Sequence, residues 1–136
     1  MKKSLLLIGL LSLLLLAACG GSSGPVTVES VTLNKDDGSG KAGDVVTSFS
    51  PTDHNFYTVV KLNRLDVGLK VKLSWVAVDA AGQTANTVVA EKEFSALVGN
   101  EIDGNVSLPN DWPTGKYRLN IYLNDTLAKS VDFTVA

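Results

Sequence analysis

The sequence predicts an all-β protein: an antiparallel two-sheet sandwich of about seven strands, preceded by a cleaved signal peptide. Three observations carry that prediction. Beyond Gly24 the apolar residues recur with a period of two rather than 3.6. Clusters of Asn, Asp, Gly and Pro separate the alternating runs. No stretch past Gly24 keeps helical periodicity for three turns.

The chain opens with two lysines, Lys2 and Lys3, followed by an apolar run from Leu5 to Ala18 that Gly9 and Ser12 interrupt. A helix of that length rises roughly 21 Å, against the roughly 30 Å of hydrocarbon that a membrane span must cross. Charge, a short apolar run and small residues at its end are the marks of a secretory signal. The junction Leu16-Ala17-Ala18-Cys19, with Gly20 behind it, resembles the lipobox of bacterial lipoproteins. That resemblance implies that residues 1–18 are removed and that the Cys19 thiol is diacylated. Cys19 then becomes the first residue of the mature protein and its link to the membrane. Each buried acyl methylene contributes about 0.8 kcal/mol, so two or three chains anchor stably. Gly20, rather than an acidic residue, implies by the same resemblance an outer-membrane location facing the periplasm. In a species with one membrane the implied place is the cell surface.

Residues 19–24 form the lipidated cysteine and a Gly/Ser tether. Five flexible residues reach only roughly 12–13 Å, at about 5–6 Å times the square root of their number. Residues 25–136 have the size of one domain. The whole chain carries 12 basic and 14 acidic residues, net −2, and loses two lysines with the signal peptide. A mildly acidic surface without a basic cluster argues against nucleic acid and against electrostatic docking on anionic lipid. Cys19 is the sole cysteine, so no disulfide is available and the fold rests on its core.

The strands follow in order. Strand A covers 25–33 and changes phase, since Val26 and Val28 are even whereas Val31 and Leu33 are odd; a bulge near Glu29-Ser30 or a crossing between sheets accounts for it. A short A′ lies near 45–48. Strand B spans 55–62, with Phe56, Thr58, Val60 and Leu62 on one face. Strand C spans 69–79, where Leu69, Val71, Leu73, Trp75 and Ala77 alternate with Lys70, Lys72 and Ser74. Strand D, 87–94, begins with Thr87, Val88 and Val89, whose β-branching favours an edge strand over a short helix. Strand E spans 101–108, with Ile102, Gly104, Val106 and Leu108 on one face. Strands F (116–124) and G (126–135) meet at Asn124-Asp125, a pair that tolerates the positive φ of a tight hairpin.

Trp75 in the middle of strand C, and Thr114-Gly115-Lys116-Tyr117-Arg118-Leu119 opening strand F after a Pro-containing corner, resemble the core of immunoglobulin-like and fibronectin III-like domains. The resemblance implies a sandwich with Trp75, Tyr117, Leu119 and Phe133 in the core. Leu119 stands where antibody domains carry a cysteine two residues after the tyrosine, so no inter-sheet disulfide is implied. Such sandwiches host many unrelated roles, and fold alone assigns none.

Chemistry-bearing residues are sparse. Asp53-His54 is a base with an acid beside it, but adjacent residues of an extended segment point to opposite faces and no nucleophile elbow is present. One histidine and one committed thiol do not make a zinc site. Asp36, Asp37 and Asp44 are a weak alternative for loop-bound calcium, in a segment that lacks the acidic twelfth residue of an EF-hand loop. No cofactor is expected. Trp112, in Asn110-Asp111-Trp112-Pro113, is either an exposed ring for a sugar or partner, or a lid over the end of the core. Tyr57 and Tyr122 alternate outward on B and F and are further candidate contacts.

The expected function is therefore non-enzymatic: a lipid-anchored module that binds a protein or polysaccharide partner at the bacterial envelope. Strand addition at the edge of strand G, Ser130 to Val135, is the expected mode. A carbohydrate-binding module using Trp112 is the alternative, ahead of an enzyme or inhibitor.

Overall fold

The computed structural model describes residues 24–136. Residues 1–23, on which the expected signal peptide, the lipidation of Cys19 and nearly all of the expected tether fall, lie outside the described residues. Among the described residues nine strands form: β1 (Val28–Asp36), β2 (Ala42–Val45), β3 (Ser48–Phe49), β4 (Asn55–Leu62), β5 (Val71–Ala80), β6 (Thr87–Phe94), β7 (Glu101–Ser107), β8 (Gly115–Leu123) and β9 (Thr126–Val135). They build two sheets, ordered β2-β1-β4-β7 and β3-β9-β8-β5-β6. Every pairing is antiparallel except that of β3 with β9.

The alternating runs turn their apolar faces to one shared core. Phe56, Val60 and Leu62 of β4 face Val71, Leu73, Trp75 and Ala77 of β5 and Tyr117, Leu119 and Ile121 of β8, all buried. Each Val, Leu, Ile or Phe side chain so buried contributes roughly 1.5–3 kcal/mol of transfer free energy. Trp75, Tyr117, Leu119 and Phe133 all lie in this cluster. The Tyr117 hydroxyl donates to the Pro113 carbonyl at 2.6 Å, closing the corner before β8, and burial pushes its phenol pKa up.

The strand count exceeds expectation because the segment after β1 yields two strands rather than one A′. β1 begins at Val28 and runs on to Asp36, through residues that read as a turn cluster. The buried Asn34 amide donates to the Gly43 carbonyl at 2.8 Å, so β2 is held by a polar bond rather than by an apolar face. β3 then crosses to the second sheet, pairing Ser48 with Thr134 and Phe49 with Val135. The phase change in β1 is a bulge: the register skips Glu29 between Val28 and Ser30. β6 lies beside β5 at the edge of the second sheet.

Two glycines are dictated by close approach. Gly104 on β7 faces the other sheet, and a Cβ there would stand 2.5 Å from Leu73 Cδ1 and 3.4 Å from the Phe94 ring. Gly104→Val is expected to cost about 1–3 kcal/mol by overpacking; an unchanged denaturation midpoint would show the sheets to be looser there. At Gly115, φ is +149° and a Cβ would meet the Asp79 carbonyl oxygen at 2.2 Å. The β8–β9 hairpin turns on Asn124 (φ 47°) and Asp125 (φ 67°), the type I′ geometry that suits twisted strands.

Candidate functional site

The sandwich has two unlike ends. One collects the loops at 37–41, 50–54, 81–86 and 108–114, and it is closed by rings. Phe56 stacks between Phe49 (centroids 3.8 Å apart) and Trp112 (4.2 Å), while Tyr117 and Phe133 stack at 5.3 Å and present edges to that column. Trp112 is 1% exposed and its backbone N–H donates to the Pro51 carbonyl at 3.0 Å. It is the lid, not a contact residue, because Phe56 and Tyr117 bury its ring. The carbohydrate alternative resting on an exposed Trp112 is corrected accordingly.

Tyr57 and Tyr122 fall on different sheets and do not form one patch. Tyr57 is half-buried on the outer face of β4, where desolvation, then the charges of Asp36 and Asp37, push its phenol pKa up. Tyr122 lies under the Lys72 ammonium, 4.7 Å from its ring centroid.

The calcium alternative does not assemble. One carboxylate oxygen of Asp36 accepts from the Gly38 and Gly40 N–H groups, and the other from the Asn55 amide. Asp37 accepts from the Ser39 hydroxyl and from the Ser39 and Lys41 N–H groups, with Ser39 the largest cause of its lowered pKa. These carboxylates cap the turn. Among the described residues no group of three or more His, Cys, Asp or Glu side chains is placed to hold a metal ion.

Asp53 and His54 part company, as adjacent residues of an extended segment should. Asp53 accepts from the Ser50 N–H at 2.7 Å and pairs with Lys35 at 3.1 Å. His54 Nε2 instead meets Asp111 Oδ1 at 2.8 Å, joining the loops before β4 and before β8. That pairing spans 57 residues and left no local signal in the sequence.

What the structure does bring together is an open side. Only the last two residues of β9 are paired with β3, so the edge is free from Thr126 to Phe133 rather than from Ser130 to Val135. The Thr134 N–H donates outward to Thr47 at 3.1 Å and that of Ala136 to Phe49 at 2.9 Å. By the alternation of an antiparallel ladder, Ser130 and Asp132 turn their N–H and C=O groups to the same side. None of the described strands pairs with them there. Across the gap lies the start of β1, whose partner β2 covers only Asn34 to Asp36. Between the two edges runs a groove of about 350 Å³, lined by Val26, Thr27, Val28, Leu123, Leu127 and Ala128 among others.

The β6 edge of the second sheet is protected. β6 carries Glu91-Lys92-Glu93 in succession, and Lys92 Nζ donates to Asn105 Oδ1 of β7 at 3.0 Å, bridging the sheets. Charges on an edge and a covered flank both discourage pairing. The β1 edge is broken by the bulge at Glu29. On β9 the one local ion pair, Arg118 with Asp132 at 2.6 Å, ties that strand to its neighbour β8; the hydrogen bond lowers the carboxyl pKa and raises the guanidinium's.

No protein-family model and no curated protein sequence matches the chain. Among solved structures it is similar to an immunoglobulin-like protein from Pseudomonas aeruginosa, with TM-score 0.52 and 15% identity, covering 85% of this chain and 100% of that one. It is also similar to part of an alkylpurine DNA glycosylase from Pseudomonas fluorescens, with TM-score 0.52 and 12% identity, covering 81% of this chain but only 30% of that one. Identities this low speak to fold alone. With its two sheets, its core Trp75 and its Tyr117 corner, the chain is an all-β sandwich with an immunoglobulin-like fold.

Proposed function

We propose that the protein is a non-enzymatic, lipid-anchored interaction module of the bacterial envelope, held at the membrane through Cys19, which binds a protein partner by strand addition to β9. One observation carries the reading: the backbone N–H and C=O groups of Ser130 and Asp132 on β9 face a side that none of the described strands pairs with. An incoming strand gains main-chain hydrogen bonds at Ser130 and Asp132. The outer-membrane face, or the cell surface in a one-membrane species, is where the lipobox resemblance puts the module.

Ser130→Pro tests this in the full chain. Its N–H makes no bond within the sheets, and proline is tolerated on an edge whose N–H faces outward. The variant is expected to fold with a change below about 1 kcal/mol. A photoreactive side chain at Lys129 should form an adduct in intact cells in the parent, and Ser130→Pro should remove that adduct. An adduct undiminished by the proline would contradict strand addition.

A further inference from the structure

The end of the sandwich opposite the aromatic lid is built differently. The chain enters there at Gly24, and the loops at 63–70 and 95–100 and the β8–β9 hairpin gather around the entry. Asparagines fasten them. Asn63 Oδ1 accepts from the Thr27 N–H at 2.9 Å, the Asn100 amide donates to the Leu62 carbonyl at 2.8 Å, and Asn124 Oδ1 accepts from the Lys70 N–H at 3.0 Å. A depression of about 220 Å³ joins Leu65–Leu69 to Ala96 and Leu97, and another of about 440 Å³ joins Val26 and Asp66–Leu69 to Leu123, Asn124 and Thr126. The surface is continuous across all three loops.

On this fastened end stand aliphatic side chains with nothing over them. Val67 is 107% exposed, Val98 96% and Leu127 53%. Its charges carry no positive surplus: Arg64 pairs with Asp66 at 3.2 Å, and Lys70 stands between Glu93 (3.7 Å) and Asp125 (3.9 Å), two cations against three carboxylates. The end is thus apolar at its tips and has no excess of cations to draw it to anionic lipid. That suits a zwitterionic bilayer surface rather than an anionic one.

The length of chain before Gly24 says what covers it. Only Gly20 to Gly24 separate the domain from Cys19, a reach of roughly 12–13 Å. We infer that Val67, Val98 and Leu127 form a membrane-contacting end, which seats against the bilayer that holds the Cys19 lipid and fixes the domain's orientation. This rests on the lipid-anchor reading. It also sets the β9 edge running away from the membrane, with Ser130 and Asp132 clear of the surface.

Fluorescence tests it cleanly, because the native Trp75 and Trp112 are each 1% exposed. Val67→Trp, Val98→Trp and, on a loop at the opposite end, Ser39→Trp are made in the full chain, and the protein is extracted from membranes. It is reconstituted in phosphatidylcholine vesicles with brominated acyl chains, and the mass of its N-terminal peptide is recorded. Because an interfacial apolar face sits roughly 5–10 Å into the headgroup boundary, emission from the added ring at 67 and 98 should fall by about half, while that at 39 stays unquenched. Acylated Cys19 with position 67 and 98 no more quenched than 39 overturns the membrane-contacting end and leaves the anchor standing. An unacylated Cys19 overturns both.

Discussion

Trp112→Ala is expected to cost the domain about 3–5 kcal/mol, the range for deleting a large buried aromatic ring. The ring stacks 4.2 Å from Phe56 and lies edge-on to Tyr117 at 5.5 Å, so its removal leaves a cavity against two further buried rings. The surroundings cannot collapse freely, because the Pro51 carbonyl and the Tyr117–Pro113 hydrogen bond pin the loops on either side. Trp112→Phe, which keeps a stacked ring, should retain most of that stability. Denaturant unfolding followed by circular dichroism reads both. A midpoint unmoved by Trp112→Ala would mean that the ring is not the lid described. Trp75→Ala, at the centre of β5, should fall in the same range of about 3–5 kcal/mol.

The second large effect concerns Cys19→Ser in the full chain. If the thiol is the acyl acceptor, the variant takes up no labelled fatty acid and persists as an uncut precursor. The lipid contribution to membrane affinity, about 0.8 kcal/mol per buried acyl methylene, is then lost, and an uncut precursor keeps only its apolar run from Leu5 to Ala18. A variant that is still processed and still carries lipid would refute the anchor. Electrophoresis of cells fed a labelled fatty acid distinguishes the two results.

β4, β7 and β8 were legible because one face of each is buried and the other is wetter, so period two is imposed on the sequence. β4, β6 and β9 have the bounds expected of strands B, D and G, although β6 buries no continuous face and β9 does so only towards its end. β2 and β3 were not legible as two strands for a physical reason. Ala42-Gly43-Asp44-Val45 buries no apolar stripe and is held by the Asn34 side chain from the neighbouring strand. β3 is two residues long and exists only because β9, distant in sequence, ends beside it. Pairings across such distances leave no local pattern.

The site residues divide in the same way. Trp112 admitted two readings because a loop position says nothing of which core ring lies beneath it; Phe56 decides it. Strand G was legible as an edge, but which of its residues stay open was not, because β3 covers Thr134 and Val135. Val67 and Val98 each sit in a loop, where single exposed aliphatics are ordinary. Only the topology, which gathers their loops with the β8–β9 hairpin at the end where the chain enters, turns scattered residues into a surface.

The proposed arrangement is an immunoglobulin-like sandwich on a short lipid tether with one sheet edge open to a partner. Its most direct test is the mass of the N-terminal peptide of the protein extracted from the membrane fraction. A peptide that begins at Cys19 and carries acyl chains is expected. A peptide that runs unbroken through Ala18 into Cys19, or a Cys19 with a free thiol, would contradict it.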